Sequence, residues 1–168
     1  MIKFSVGGRA VAKERPRLGN GGFYTPTKTK NYERLVARIF QKHGFDMING
    51  YVGARIKIYM SVPKSKPKKL WIDNIKWSKQ NCLDGKIRPT SHGDIDNIVK
   101  SVLDGLNGVA FQDDCLVQEL HAEKWFAETD YVEVELWELK TRQFISNLES
   151  RVKHDTNRST DNIWPFWP

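Results

Sequence analysis

The sequence predicts a single α/β domain of the α+β kind, with a small mixed or antiparallel sheet packed by helices. Three observations predict it. Apolar and polar residues alternate with period two over residues 1–6, 54–62 and 131–139, as in strands with one buried face. Apolar residues recur at helical spacing over residues 31–43 and 98–106. The 168 residues, 39% hydrophobic and 28% charged, suffice to bury one core without staples.

In chain order, residues 1–6 set Ile2, Phe4 and Val6 on one face of a short strand. Residues 7–30 are rich in Gly, Pro and basic side chains, which argues against a long regular element. Phe23 and Tyr24 interleave there with basic residues, an arrangement able to hold a nucleic-acid strand. A basic loop with its aromatics packed back on the core has the same composition. In residues 31–43, Leu35, Val36, Ile39 and Phe40 form the apolar stripe, and Gly44 supplies a stop. Residues 54–62 set Ala54, Ile56, Ile58, Met60 and Val62 against Arg55, Lys57, Tyr59 and Ser61, and Pro63 ends the strand.

A basic run over residues 64–69 leads to residues 70–83, where Trp71, Ile75 and Cys82 line a weak helix. Residues 98–106 turn Ile98, Val99, Val102, Leu103 and Leu106 to the core, with Asp96 as the natural N-cap and Asn107-Gly108 as the break. Strands are expected over residues 116–126 and 131–139, joined by a hairpin-sized link at 127–130. The patterned domain therefore spans residues 1–139. Residues 140–168 form an extension: Phe144, Ile145, Leu148 and Val152 have the spacing of a short helix, and the end is Trp164-Pro165-Phe166-Trp167-Pro168. Those aromatics are costly to leave in water and are expected to dock on this chain or a second copy.

Composition narrows the function. No apolar run approaches the ~20 residues of a membrane span, and no secretion signal opens the chain. The two cysteines, Cys82 and Cys115, form no CxxC pair, so a reducing, cytoplasmic setting fits. Nothing resembles a P-loop, an EF-hand, a zinc finger or a nucleophile elbow, so no nucleotide cofactor is expected. The net charge is +7 and unevenly placed: residues 1–92 hold 20 Lys/Arg and 5 Asp/Glu, whereas residues 93–168 hold 7 and 15. A basic half grips a polyanion, and an acidic half tolerates one if it holds metal ions. A charged surface tuned for solubility is the plainer alternative.

Chemistry concentrates in His92-Gly93-Asp94-Ile95-Asp96-Asn97-Ile98-Val99-Lys100. Asp94 and Asp96, two apart where a helix begins, can face one spot if the backbone there is extended. Lys100, four residues on, can reach back over Asp96. A second pair, Asp113-Asp114, sits in a turn-like link before a strand. Clustered carboxylates repel unless a cation neutralises them, and hard oxygen donors suit Mg²⁺ or Mn²⁺. Taken singly, an aspartate before a helix is commonly a cap and Asp-Asp is commonly a turn. The four histidines, His43, His92, His121 and His154, show no ligand spacing.

Asp94-Ile95-Asp96-Asn97-Ile98-Val99-Lys100, then Leu103-Asp104-Gly105-Leu106-Asn107-Gly108, then Phe111-Gln112-Asp113-Asp114 resembles the RusA-type Holliday junction resolvases. Weaker agreement lies upstream, in Lys13-Glu14-Arg15-Pro16-Arg17, Tyr24-Thr25-Pro26 and the helix carrying Tyr32. The likeness covers about residues 1–139 and leaves 140–168 without a counterpart. It implies a homodimeric endonuclease that binds four-way DNA junctions and nicks two opposed strands with Mg²⁺ or Mn²⁺. It places metal ligands at Asp94, Asp96 and Asp114, with Asp113 ranked lower, the catalytic lysine at Lys100, and a supporting role at Asn97. Where some members have a basic residue before the first motif aspartate, this chain has Gly93, so that phosphate contact is either absent or supplied by Lys86 or Arg88. Residues 63–92 look like an insertion relative to the shortest members. The basic loops nominate Lys13, Arg15, Arg17, Lys28, Lys30, Lys86 and Arg88 for DNA binding. Two other readings stay open: a non-catalytic module that binds branched DNA, and a nuclease acting on branched or flapped DNA generally.

Overall fold

The alternating stretches pair into one sheet, and the helical stretches pack on one of its faces. The computed structural model describes residues 1–19, 21–67 and 74–140. The elements are β1 (Ile2–Gly7), β2 (Arg17–Gly19), β3 (Gly22–Tyr24), α1 (Thr27–Lys42), β4 (Tyr51–Ser61), α2 (Lys79–Leu83), α3 (Ile95–Leu106), a 3₁₀ turn (Asp114–Leu116), β5 (Val117–Ala127) and β6 (Tyr131–Leu139). The mixed four-stranded sheet has the order β1-β6-β4-β5, with β1 antiparallel to β6 and β4 parallel to β5. β2 and β3 form a separate two-stranded hairpin. Residues Met1–Glu138 make one compact unit. The helix expected near Phe144–Val152 and the aromatic end lie outside the described residues.

Period two decides which face is wet. Phe4 and Val6 of β1, Ala54, Ile56, Ile58 and Met60 of β4, and Val132, Val134 and Leu136 of β6 are buried. They meet Tyr32, Val36 and Phe40 of α1 and Ile98, Val102 and Leu106 of α3 in a single core. The Phe4 and Phe40 rings meet edge-on, centroids 5.7 Å apart. Residues between the buried positions face the other way and pair among themselves: Arg55 donates to Glu135 at 3.0 Å, and the Tyr59 and Tyr131 rings stack 4.4 Å apart. Each large buried side chain contributes about 1.5–3 kcal/mol, more than the ~1 kcal/mol of a helix cap. That is why α1 can start at Pro26 with no side-chain cap.

Four sequence expectations change. The last two strands are not a hairpin, because β4 lies between them. Residues 128–130 carry the chain past the end of β4, where the Asp130 carboxylate accepts from the Ser61 N–H at 2.7 Å. Apolar content decides this: β4 is buried at most positions and takes the interior, while β5, exposed from Gln118 to His121, takes the edge. The helix expected over residues 70–83 is only Lys79–Leu83 among the described residues, with Trp71 outside them. Ser78 caps it by accepting from the Asn81 N–H at 3.0 Å, and Asp84-Gly85 ends it, Gly85 having φ 74°. α1 starts a turn earlier than its apolar stripe, at Thr27. α3 starts at Ile95, which puts Asp94, not Asp96, at the N-cap. No helix among the described residues is long and apolar enough to cross a membrane.

Candidate active site

The N-terminus of α3 organises the acidic residues. Asp94 is extended (φ −74°, ψ 150°) and its side chain makes no capping hydrogen bond, while Asp96 sits in the first helical turn. The expected face shared along an extended strand is therefore replaced by a helix start. Both carboxylates stand at the positive end of the α3 dipole, which favours negative charge. Asn97 donates weakly to Asp96, at 3.4 Å.

Lys100 does not reach back over Asp96. Its ammonium lies 3.0 Å from Asp104 Oδ1 and 2.5 Å from Asp114 Oδ2. Two converging carboxylates outweigh one exposed one. Hydrogen bonds first to Asp114 and then to Asp104 push the Lys100 pKa up to about 12, against a smaller opposing effect of burial. Asp104 also meets Lys13 Nζ at 2.7 Å, and Lys13 bonds Glu33 of α1. Glu33, Lys13, Asp104, Lys100 and Asp114 thus form one chain of alternating charge. Burial opposes the charge on Asp104, but the bonds from Lys13 and Lys100 overcome it and hold its carboxyl below the usual range. Burial likewise pulls Lys13 down, and Asp104 and Glu33 together raise it.

Gly105 lets this chain form. A Cβ there would lie 2.7 Å from the Glu33 carbonyl oxygen, so only glycine allows α1 so close to α3. The 3₁₀ turn delivers Asp114. Asp113 caps that turn, accepting from the Cys115 N–H at 2.9 Å, and this bond lowers its pKa. The asymmetry separates the two neighbours: Asp113 is occupied by the turn, and Asp114 faces Lys100.

Lys124, on β5, was not singled out by any sequence pattern. Its ammonium donates to the carbonyls of Ser91 (3.2 Å) and Gly93 (2.9 Å), fixing the loop that leads into Asp94. Burial lowers its pKa, against the pull of Asp94. Within that loop His92 has φ 68° and Gly93 φ 98°. Burial, then Arg9 and Lys124, push the His92 pKa down, opposed by Asp130.

The family model of endodeoxyribonuclease RusA matches residues 7–137. The chain belongs to the RusA endodeoxyribonuclease family. It is also similar to the uncharacterized protein YqaN of Bacillus subtilis (strain 168), 36% identical over 143 residues, covering 82% of this chain and 96% of that protein. The RusA match spans every element that builds the acidic site, from the end of β1 to β6. Membership supports endonucleolytic action on DNA junctions.

Against a RusA nuclease, the cations nominated for DNA divide into two groups. Lys13 is committed to Glu33 and Asp104, Arg17 to Glu14 (3.0 Å), and Lys86 to Asp84 (3.3 Å). Arg88 donates to the Lys124 carbonyl at 2.9 Å and stacks over Trp125. Lys86 and Arg88 are therefore held in local contacts. Arg15, Lys28 and Lys30 are exposed and make no ion pair among the described residues. On the β2–β3 hairpin Phe23 is 79% exposed and Leu18 74%, so these side chains do not pack back on the core.

The carboxylates of Asp94, Asp96 and Asp114 are hard oxygen donors, right in kind for Mg²⁺ or Mn²⁺. They are not gathered in position: among the described residues no three His, Cys, Asp or Glu side chains converge closely enough to hold a metal ion. The cation beside Asp114 is the ammonium of Lys100.

Proposed function

We propose that this RusA-family protein is a metal-dependent resolvase that acts as a homodimer and makes paired, symmetric nicks in four-way DNA junctions. The observation that carries the reading is the contact of Lys100 with Asp114. It joins the Asp94-to-Lys100 segment to the Asp113-Asp114 turn across 14 residues of chain. A module that only binds DNA gains nothing from pairing a lysine with carboxylates, which removes that lysine from its polyanionic ligand.

In this reading Asp94, Asp96 and Asp114 hold Mg²⁺ or Mn²⁺, with Asp113 in a lesser role through its turn and Asn97 supporting Asp96. Such an ion, when bound, would lower the pKa of a water and offset charge on the leaving oxygen. Asp114 and then Asp104 raise the Lys100 pKa and hold the side chain as an ammonium. As an ammonium it would stabilise charge on the phosphoryl oxygens. An ion held by Asp114 would share that carboxylate with Lys100, which Asp104 also bonds at 3.0 Å. A two-fold dimer sets two equal sites on the symmetric strands of an open junction.

The test is nicking of a labelled four-way junction in Mg²⁺ and in Mn²⁺, with EDTA, Asp96→Asn, a flap substrate and a linear duplex alongside. Symmetric cuts confined to the junction are expected, abolished by EDTA and reduced on the order of a thousand-fold by Asp96→Asn while junction binding persists. Equal cutting of flaps would replace the resolvase with a broader branched-DNA nuclease. Binding without cuts in either metal would leave a non-catalytic binding module.

A further inference from the structure

A polar cleft of about 280 Å³ opens beside the loop that leads into Asp94. Three separate segments wall it: Arg9, Ala12 and Glu14 from the stretch after β1, Lys28 from the first turn of α1, and His92 with Gly93 from the loop before α3. We infer that this cleft is a phosphate subsite, in which Arg9, Lys28 and His92 take a DNA backbone phosphate flanking the cleaved bond. The inference rests on the nuclease reading above and adds to it where the strand is held.

The charge in the cleft is uncompensated. Arg9 and Lys28 make no ion pair or hydrogen bond among the described residues. The one carboxylate lining the cleft, Glu14, is taken by Arg17 at 3.0 Å. Two free cations on different segments, aimed into one recess, match an oxyanion of charge −1 or −2.

The walls are held in place by the backbone of the loop before α3 and its close approach to Ala12. His92 is the only non-glycine residue with positive φ among the described residues, a conformation such side chains rarely adopt. Lys124 fixes it by bonding the carbonyls on either side, those of Ser91 and Gly93. A Cβ on Gly93 would lie 2.7 Å from Ala12 Cβ, so glycine is what lets the Arg9 segment close against the α3 loop. Gly93, which lines the cleft, directly precedes Asp94, so the cleft opens next to the start of the acidic segment.

The test uses the full chain and a four-way junction whose phosphates are neutralised one at a time, as methylphosphonates, across the branch point. Wild type is expected to lose about ten-fold in affinity at one position beside the cut. The double variant Arg9→Ala/Lys28→Ala binds the unmodified junction about ten-fold more weakly, loses about two from the slope of log affinity against log salt, and pays no further penalty at that position. Both residues are exposed, so the variant keeps its fold. Unchanged affinity and salt slope in the variant, or a methylphosphonate penalty that persists in it, would overturn the subsite. Wild type that shows the positional penalty but never nicks would keep the subsite and remove the nuclease reading. Nicking wild type with an indifferent double variant would do the reverse, and wild type that binds no junction would remove both.

Discussion

Near the start of α3, Lys13 and Lys100 are spent on carboxylates, whereas Arg9 and Lys28 in the neighbouring cleft make no ion pair among the described residues. Lys13 and Lys100 are each clamped between two carboxylates, whereas Arg9 and Lys28 face a recess whose one acid is already paired. The two clusters have similar composition and opposite uses. A neutralised lysine adds little to the grip on a polyanion, but its position is defined and its charge is secured. A free arginine or lysine has a looser position and a full charge for a phosphate. Counting basic residues along the chain treats these groups alike; ion pairing separates them.

Removing Lys100 breaks the comparison hardest. Lys100→Ala is expected to slow single-turnover cleavage by about 10²–10³-fold while junction affinity changes by less than about three-fold. The same change frees the Asp114 carboxylate, so Mn²⁺ binding measured by electron paramagnetic resonance tightens even as cutting fails. Junction affinity falling as steeply as the rate would make Lys100 a grip and erase the distinction.

Next is Gly105, which permits the clamped side to assemble. In an ordinary helix interior Gly→Ala gains about 1 kcal/mol. Here the new Cβ meets the Glu33 carbonyl at 2.7 Å and Val36 Cβ at 2.9 Å. Gly105→Ala is therefore expected to lose about 1–3 kcal/mol in urea unfolding. A gain in stability would show that α1 and α3 are not held at this spacing.

Asp104→Asn sharpens the comparison through pH. The folded carboxyl is held below its usual range by Lys13 and Lys100 after paying for burial, so the unfolded chain binds its proton more readily. Its contribution is complete above about pH 4 and is lost as pH falls through the folded value. The variant is expected to be about 1 kcal/mol less stable at neutral pH. Its stability should converge on wild type in acid, and parallel curves across that range would sever Asp104 from the network.

The smallest effect belongs to Arg88. It is basic and near the site, yet it is stacked on Trp125 and bonded to the Lys124 carbonyl. Arg88→Ala should leave junction affinity within about two-fold and cost about 0.5–1 kcal/mol of stability. A ten-fold loss of affinity would return it to the DNA-binding group.

Local pattern made much of this legible. Alternation at Ala54, Ile56, Ile58 and Met60 identified β4, and helical spacing at Ile98, Val102 and Leu106 identified α3, because side-chain period follows from backbone geometry alone. The motif residues Asp94, Asp96, Lys100, Asp113 and Asp114 stand out in the sequence, and the RusA match covers them. The partner of Lys100 is not legible locally: four residues back lies Asp96, four forward lies Asp104, and spacing favours neither. Arg9 is one basic residue among several in the 7–30 stretch and Lys124 has no local signal, since each acts across a distance of chain that periodicity does not sense.

By itself, then, the sequence determined the element types, the α+β class and the set of acids and lysine that places the chain in the RusA family. Tertiary structure decided the pairings: β4 between β5 and β6, Lys13 between α1 and α3, Lys100 on Asp104 and Asp114, and the cleft that Arg9 and Lys28 share with His92. The reason is physical. Period and turn chemistry act over a few residues, whereas burial and ion pairing select among contacts between segments tens of residues apart, and only the folded chain brings those segments together.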